Sequence, residues 1–104
     1  MALDVSKISP LGFGCMRFTG RETDQIDIEH TSRLVDAYLE GGGNYFDTAW
    51  AYPNSEKALG EALVKRHPRD SYIIATKCVP WTCCTCEEDL ERQLQESLAN
   101  LGVD

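Results

Sequence analysis

Two kinds of periodic segment alternate along the chain. Short apolar runs of strand length occupy 11–16, 44–48 and 71–76, each bounded by glycine, proline or polar residues. Helical periodicity fills the intervals. Over 28–40, Leu34, Val35, Tyr38 and Leu39 fall on one face, Asp24 or Asp27 can cap the start, and Gly41-Gly42-Gly43 stops the helix. Over 55–66, Ala58, Leu59, Ala62 and Leu63 make one stripe, with Asn54 or Ser55 as the cap and Pro68 as the stop. Over 86–99, Leu90, Leu94 and Leu98 are four apart, Thr85-x-x-Glu88 reads as a capping box, and Leu101-Gly102 closes the helix. Residues 18–27 and 78–85 read as loops.

The result is strand–helix three times over, with short connections. That alternation predicts parallel strands joined by right-handed crossovers. A parallel sheet needs both faces covered or closure into a barrel, and three units supply neither. The expected fold is therefore α/β, with 1–104 forming the N-terminal part of a (β/α)8 TIM barrel, since a complete barrel takes about 250 residues. The strand edge left open after 71–76 invites self-association.

Composition narrows the partners. The net charge is −7 and the pI about 4.7, which argues against nucleic acid. No apolar run approaches the roughly 18 residues of a membrane span, and Met1-Ala2-Leu3-Asp4-Val5 lacks the basic start of a signal peptide. A cytoplasmic location without a membrane is the expectation. Five cysteines are an odd number, and four of them (Cys78, Cys83, Cys84, Cys86) crowd into nine residues. Their spacing fits neither zinc ribbons nor ferredoxin-like clusters, so adventitious or regulatory thiols are expected rather than a metal site.

The candidate chemistry lies at the ends of the strands. Gly12-x-Gly14 suggests a dinucleotide fingerprint, but Arg17 stands where the third glycine belongs and no helix begins there. The two glycines read instead as places where a backbone or ligand comes close. In a parallel sheet all carboxyl ends lie on one face, where sites are assembled from different strands. Asp47, Tyr52 and Lys77 sit at or just past two such ends. A phenol delivers a proton to a carbonyl oxygen well only if its pKa, about 10, falls towards working pH, and a nearby ammonium favours that. A carboxylate paired with the ammonium keeps it charged and in place. His67 follows Lys65 and Arg66 in a last helical turn and reads as a helix-terminus charge.

Three stretches carry a resemblance. Gly41-Gly42-Gly43-Asn44-Tyr45-Phe46-Asp47-Thr48-Ala49-Trp50-Ala51-Tyr52, then Asn54-Ser55-Glu56-Lys57-Ala58-Leu59-Gly60, then Ile73-Ile74-Ala75-Thr76-Lys77 resemble the aldo-keto reductase family. The opening Ile8-Ser9-Pro10-Leu11-Gly12-Phe13-Gly14-Cys15-Met16-Arg17 is similar to that family's first strand. The resemblance implies NADPH as cofactor, with NADH as the alternative, and hydride transfer to a small aldehyde or ketone. It implies Tyr52 as general acid, Lys77 as the ammonium supporting it, and Asp47 pairing with Lys77 near the nicotinamide ribose. Met16 and Arg17 would border the cofactor, Trp50 would line the carbonyl pocket or serve packing, and Glu56 reads as structural. The family's fourth catalytic group, a histidine on the next strand, has no counterpart in His30 or His67. This implies a catalytically incomplete fragment, and an iron–sulfur cluster only in a longer parent.

Overall fold

The computed structural model describes residues 3–21, 25–83 and 85–104, the side chains of Thr82 and Cys83 excepted. Three parallel strands form one sheet in chain order, with β2 (Tyr45–Asp47) between β1 (Phe13–Gly14) and β3 (Ile73–Ala75). Phe13 lies opposite Phe46, and Phe46 opposite Ile74. The chain is thus α/β, with parallel strands alternating with helices.

β1 is shorter than the expected 11–16. The Leu11 carbonyl accepts from the Tyr38 hydroxyl at 2.5 Å rather than from a strand, and Met16 and Arg17 turn outward beyond one last ladder bond, Cys15 N–H to the Asp47 carbonyl. β2 begins at Tyr45, one residue later than expected. Asn44 still gives its carbonyl to the Ile73 amide at 2.7 Å. Its side chain accepts from the Ser9 amide at 2.8 Å and donates to the Lys7 carbonyl at 2.7 Å, pinning the N-terminal segment. No neighbour lies within 4 Å of a Cβ built on Gly14, and at Gly12 the nearest is an ordinary 3.5 Å contact with Tyr45. Close packing within the described chain therefore explains neither glycine.

α1 (Ile28–Glu40) is capped by Asp27, whose carboxylate accepts from the His30 amide at 3.0 Å; Asp24 lies outside the described residues. It ends at Gly41, followed by Gly42 in the left-handed region at φ 95°. Thr31 and Val35 form its buried line while Leu34 is exposed, so the inward face is narrower than the sequence pattern suggests.

The expected helix over 55–66 divides in two. α2 (Ser55–Leu59) runs into a π-helical stretch, Gly60–Val64, closed by the Lys65 N–H bonding five residues back to the Gly60 carbonyl. Asn54 is the N-cap residue at φ 58° but makes no side-chain cap bond, and the Ser55 hydroxyl turns inward instead. At Gly60 an added Cβ would stand 2.9 Å from the Asn100 carbonyl and 3.0 Å from that of Leu101. The glycine lets the end of α4 (Glu87–Leu101) lie directly on this backbone.

A short helix, α3 (Pro80–Cys83), precedes α4 and was not expected. The anticipated capping box is also displaced by one residue. Cys86 is the N-cap residue, and both the amide and the hydroxyl of Thr85 donate to Asp89 rather than exchanging bonds with Glu88. α4 buries Gln93, Ser97 and Leu101, whereas Leu90 and Leu94 are exposed. Its inward face is mixed because Gln93 accepts the Val79 amide at 2.6 Å. Gly102, at φ 79°, closes it with a bond to the Leu98 carbonyl, as the sequence predicts.

The core joins Phe46, Val35, Leu59, Leu63, Tyr72 and Leu101. Phe46 is its centre, with Phe13 and Tyr38 rings 5.2 Å away and Tyr72 edge-on at 6.5 Å. Beyond β3 lies an open groove of about 1120 Å³, lined by Val64, Tyr72, Ile73, Ile74 and Val103 among others. Because the atoms facing Gly60 are backbone, Gly60→Ala should destabilise the fold by about 1–3 kcal/mol in urea unfolding. Gly14→Ala should stay within about 0.5 kcal/mol.

Candidate active site

Asp47 closes β2, and the chain beyond it is tied to the exit of β3 by two backbone bonds. The Thr48 amide donates to the Ala75 carbonyl at 2.8 Å, and the Trp50 amide to that of Lys77 at 3.2 Å. This laces the two strand exits together before any side chain contributes. Lys77 Nζ then donates to both carboxylate oxygens of Asp47, at 3.0 and 2.9 Å, and to the Thr48 carbonyl at 2.8 Å. The same ammonium stands 5.2 Å from the centroid of the Tyr52 ring. The three sequence-predicted groups are therefore together at the carboxyl ends of the strands.

The electrostatics favour a charged lysine. Partial burial is the largest single influence on Lys77 and opposes its charge, but the bond and charge of Asp47, with help from Tyr52, outweigh it and raise the pKa above the ordinary lysine value. Behind the pair, Cys15 is buried and its thiol is pushed up to about 12, first by burial and then by the charge of Asp47. It is an inert thiol.

Tyr52 is carried by a tight loop. Its amide donates to the Ala49 carbonyl and its carbonyl accepts the Ser55 amide, both at 3.1 Å. Ser55 is buried, and its hydroxyl donates to the Cys15 carbonyl at 2.7 Å while lying 2.7 Å from the Thr48 hydroxyl. One side chain thus joins the exits of β1 and β2 to the start of α2. The sequence assigns Ser55 only a capping role, and its polar neighbours Asn54 and Glu56 carry no signal of this burial.

Trp50 directs its indole N–H to Glu96 on α4 at 2.9 Å, beside a cavity of about 330 Å³ that Tyr52 also lines. Met16 and Arg17 are exposed just beyond β1. Glu56 is buried, accepting from the Thr76 hydroxyl and the Asn100 amide. His67 is remote from the site. Its Nε2 lies 2.8 Å from Asp36 of α1, a carboxylate that Arg66 also grips and holds below its usual pKa. It therefore serves as a tie between helices, more than the helix-terminus charge read from sequence. His30 is on the first turn of α1. Cys15, Cys78 and Cys86 are free thiols; Cys84 and the side chain of Cys83 lie outside the described residues. Among the described residues, no group of three or more His, Cys, Asp or Glu side chains could hold a metal ion.

A parallel βα array with a lysine–carboxylate pair beside a phenol at the strand exits defines part of an α/β barrel. The chain belongs to the aldo/keto reductase family, whose sequence profile matches residues 10–104. It is 36% identical over 96 residues to norsolorinic acid reductase of Emericella nidulans, covering 88% of this chain and 25% of that protein. It is 34% identical over 76 residues to the NADP(+) aryl-alcohol dehydrogenase of Phanerodontia chrysosporium, covering 67% and 20%. The holo form of an aldo-keto reductase from Bacillus halodurans superimposes with a TM-score of 0.73 at 32% identity, over 93% of this chain and 33% of that one. The chain thus spans about a fifth to a quarter of such curated relatives and a third of that solved structure, matching their N-terminal portion.

Replacing Asp47 with Asn removes the main support for the Lys77 charge and leaves the effect of burial. The Lys77 pKa should fall, read from its side-chain NMR signals across alkaline pH. Because the folded pKa is raised, the stability due to this pair is full below the ordinary lysine value and disappears as pH rises through the folded one. In Asp47→Asn, that alkaline loss should vanish.

Proposed function

We propose that this chain supplies the proton-delivery site of an NADPH-dependent reductase of small aldehydes or ketones. The observation that carries the reading is the Lys77–Asp47 pair set against the Tyr52 ring at the strand exits. In this reading Tyr52 donates the proton to the carbonyl oxygen. Lys77 stabilises the phenolate left behind, and Asp47 holds Lys77 charged and aimed. The printed name of the Phanerodontia chrysosporium relative, an NADP(+) enzyme, supports the cofactor.

The residues present fit such a cofactor. Arg17 offers an exposed guanidinium beyond β1, Met16 an exposed apolar side chain next to it in the chain, and Gly14 has open space where a side chain would stand. A bound nicotinamide would supply the hydride. Trp50 would border the substrate through the cavity it shares with Tyr52.

The test is NADPH oxidation with 4-nitrobenzaldehyde. The 104-residue chain, with three of the family's four groups, is expected to turn over at background, unchanged by Tyr52→Phe. In any longer product of the gene, Tyr52→Phe should lower kcat about 10²–10⁴-fold. Turnover there that ignores the substitution removes Tyr52 from its role. Robust turnover by the 104 residues alone shows that the fourth group is dispensable.

One observation favours a second reading, a self-associating unit without turnover of its own. The groove beside β3 is largely apolar, and the buried Tyr72 hydroxyl at its wall has no hydrogen-bond partner among the described residues. Size-exclusion chromatography with light scattering should then show dimers or larger species at micromolar concentration. A dispersed monomer with cooperative unfolding argues against it.

A further inference from the structure

Glu56 is 3% exposed, yet none of the ion pairs among the described residues reaches it. Burying a carboxylate is costly, and neutral donors offset that cost only when they are well placed. Here each oxygen has one donor, and each donor comes from a different element. The Thr76 hydroxyl, at the exit of β3, lies 2.6 Å from Oε2; the Asn100 amide, near the end of α4, lies 3.2 Å from Oε1. An apolar side chain of similar volume could fill the same space, but it could not tie those elements to α2.

The covalent neighbours of this clamp give it meaning. Thr76 immediately precedes Lys77, and Glu56 follows Tyr52 by four residues. The intervening Ser55 is itself fixed, to the Cys15 carbonyl and beside the Thr48 hydroxyl. Lys77 Nζ must satisfy three contacts at once, all between 2.8 and 3.0 Å. A rotation of the backbone at Thr76 would move that ammonium away from them. Short charge-assisted bonds such as Thr76–Glu56 are among the stronger ones available for preventing it.

We propose that Glu56 is a positioning residue: through Thr76 it fixes the exit of β3, and with it Lys77, against the start of α2, which follows directly on the loop that carries Tyr52. The proposal rests on the functional reading of Tyr52 and Lys77, but its test requires no turnover. Its failure would leave that reading intact, and an absence of reductase activity would leave the positioning intact.

The experiment follows the Lys77 side-chain titration by NMR in the 104-residue chain, with circular dichroism reporting the fold. Thr76→Val removes the donor at nearly constant shape, and the Lys77 pKa should move down in the direction set by Asp47→Asn. Thr76→Ser, which restores the hydroxyl, should return it to the native value. A folded valine variant with native Lys77 titration overturns the proposal, as does a serine variant that behaves like valine. If the valine variant does not fold, Glu56→Asp keeps the charge but shortens the reach and should show the same downward shift. A folded aspartate variant with native titration overturns the proposal. Loss of the fold in both overturns it too, because Glu56 would then be a global stabiliser.

Discussion

Parallel pairing is the constraint from which the rest follows. A parallel strand cannot return through a tight turn, so each crossover takes a helix and every strand exits on the same side. With β2 between its neighbours, the exits of β1 and β3 stand on either side of Asp47. Residues thirty apart, Asp47 and Lys77, become neighbours for this reason alone. The loop after β2 is the natural carrier of the phenol, because only the central exit faces both others.

Hydrophobic packing and polar ties divide the work. The middle of the sheet is held by rings around Phe46 and by Leu59, Leu63 and Leu101, which bury area but impose little direction. The exits are held by directional bonds, Ser55 to β1 and β2 and Glu56 to β3 and α4, while Asn44 ties the start of β2 to the N-terminal segment. Such bonds are each worth about 1 kcal/mol net, but leaving a buried partner unsatisfied costs more. They therefore specify geometry more than they add stability. A site that needs an ammonium within bonding distance of two strand exits requires that kind of specification.

This division explains what the sequence made legible. Element type and order follow from periodicity, and Asp47, Tyr52 and Lys77 could be placed on one face because parallel topology decides it. Boundaries failed where a contact from elsewhere in the chain met the backbone. Leu11 gives its carbonyl to Tyr38, and the helix over 55–66 opens into a π turn where Gly60 meets α4. Leu90 and Leu94 mark a regular stripe, yet Gln93 and Ser97 are buried, and Gln93 is turned inward because the Val79 amide demands an acceptor there. A hydrophobicity pattern records which residues could be buried; it does not record which backbone groups need an acceptor. Glu56, Ser55 and Asn44 answer that second need, and their roles are invisible until the strands are in register.

The charge distribution has the same logic. A chain of net charge −7 looks ill suited to an anionic dinucleotide. Yet interactions between exposed charges are largely screened beyond about 8 Å at physiological ionic strength, so distant acids count for little. Part of the excess lies in the first turn of α4, as Glu87, Glu88 and Asp89, where the positive end of the helix favours it. Asp89 is further spoken for by Thr85 and Arg92. At the strand exits, the acid closest to Lys77 is consumed by pairing with it, and the buried carboxylate of Glu56 is met by neutral donors. Arg17 lies exposed just beyond β1. The local field at the strand exits is therefore set by those few groups rather than by the net charge of the chain.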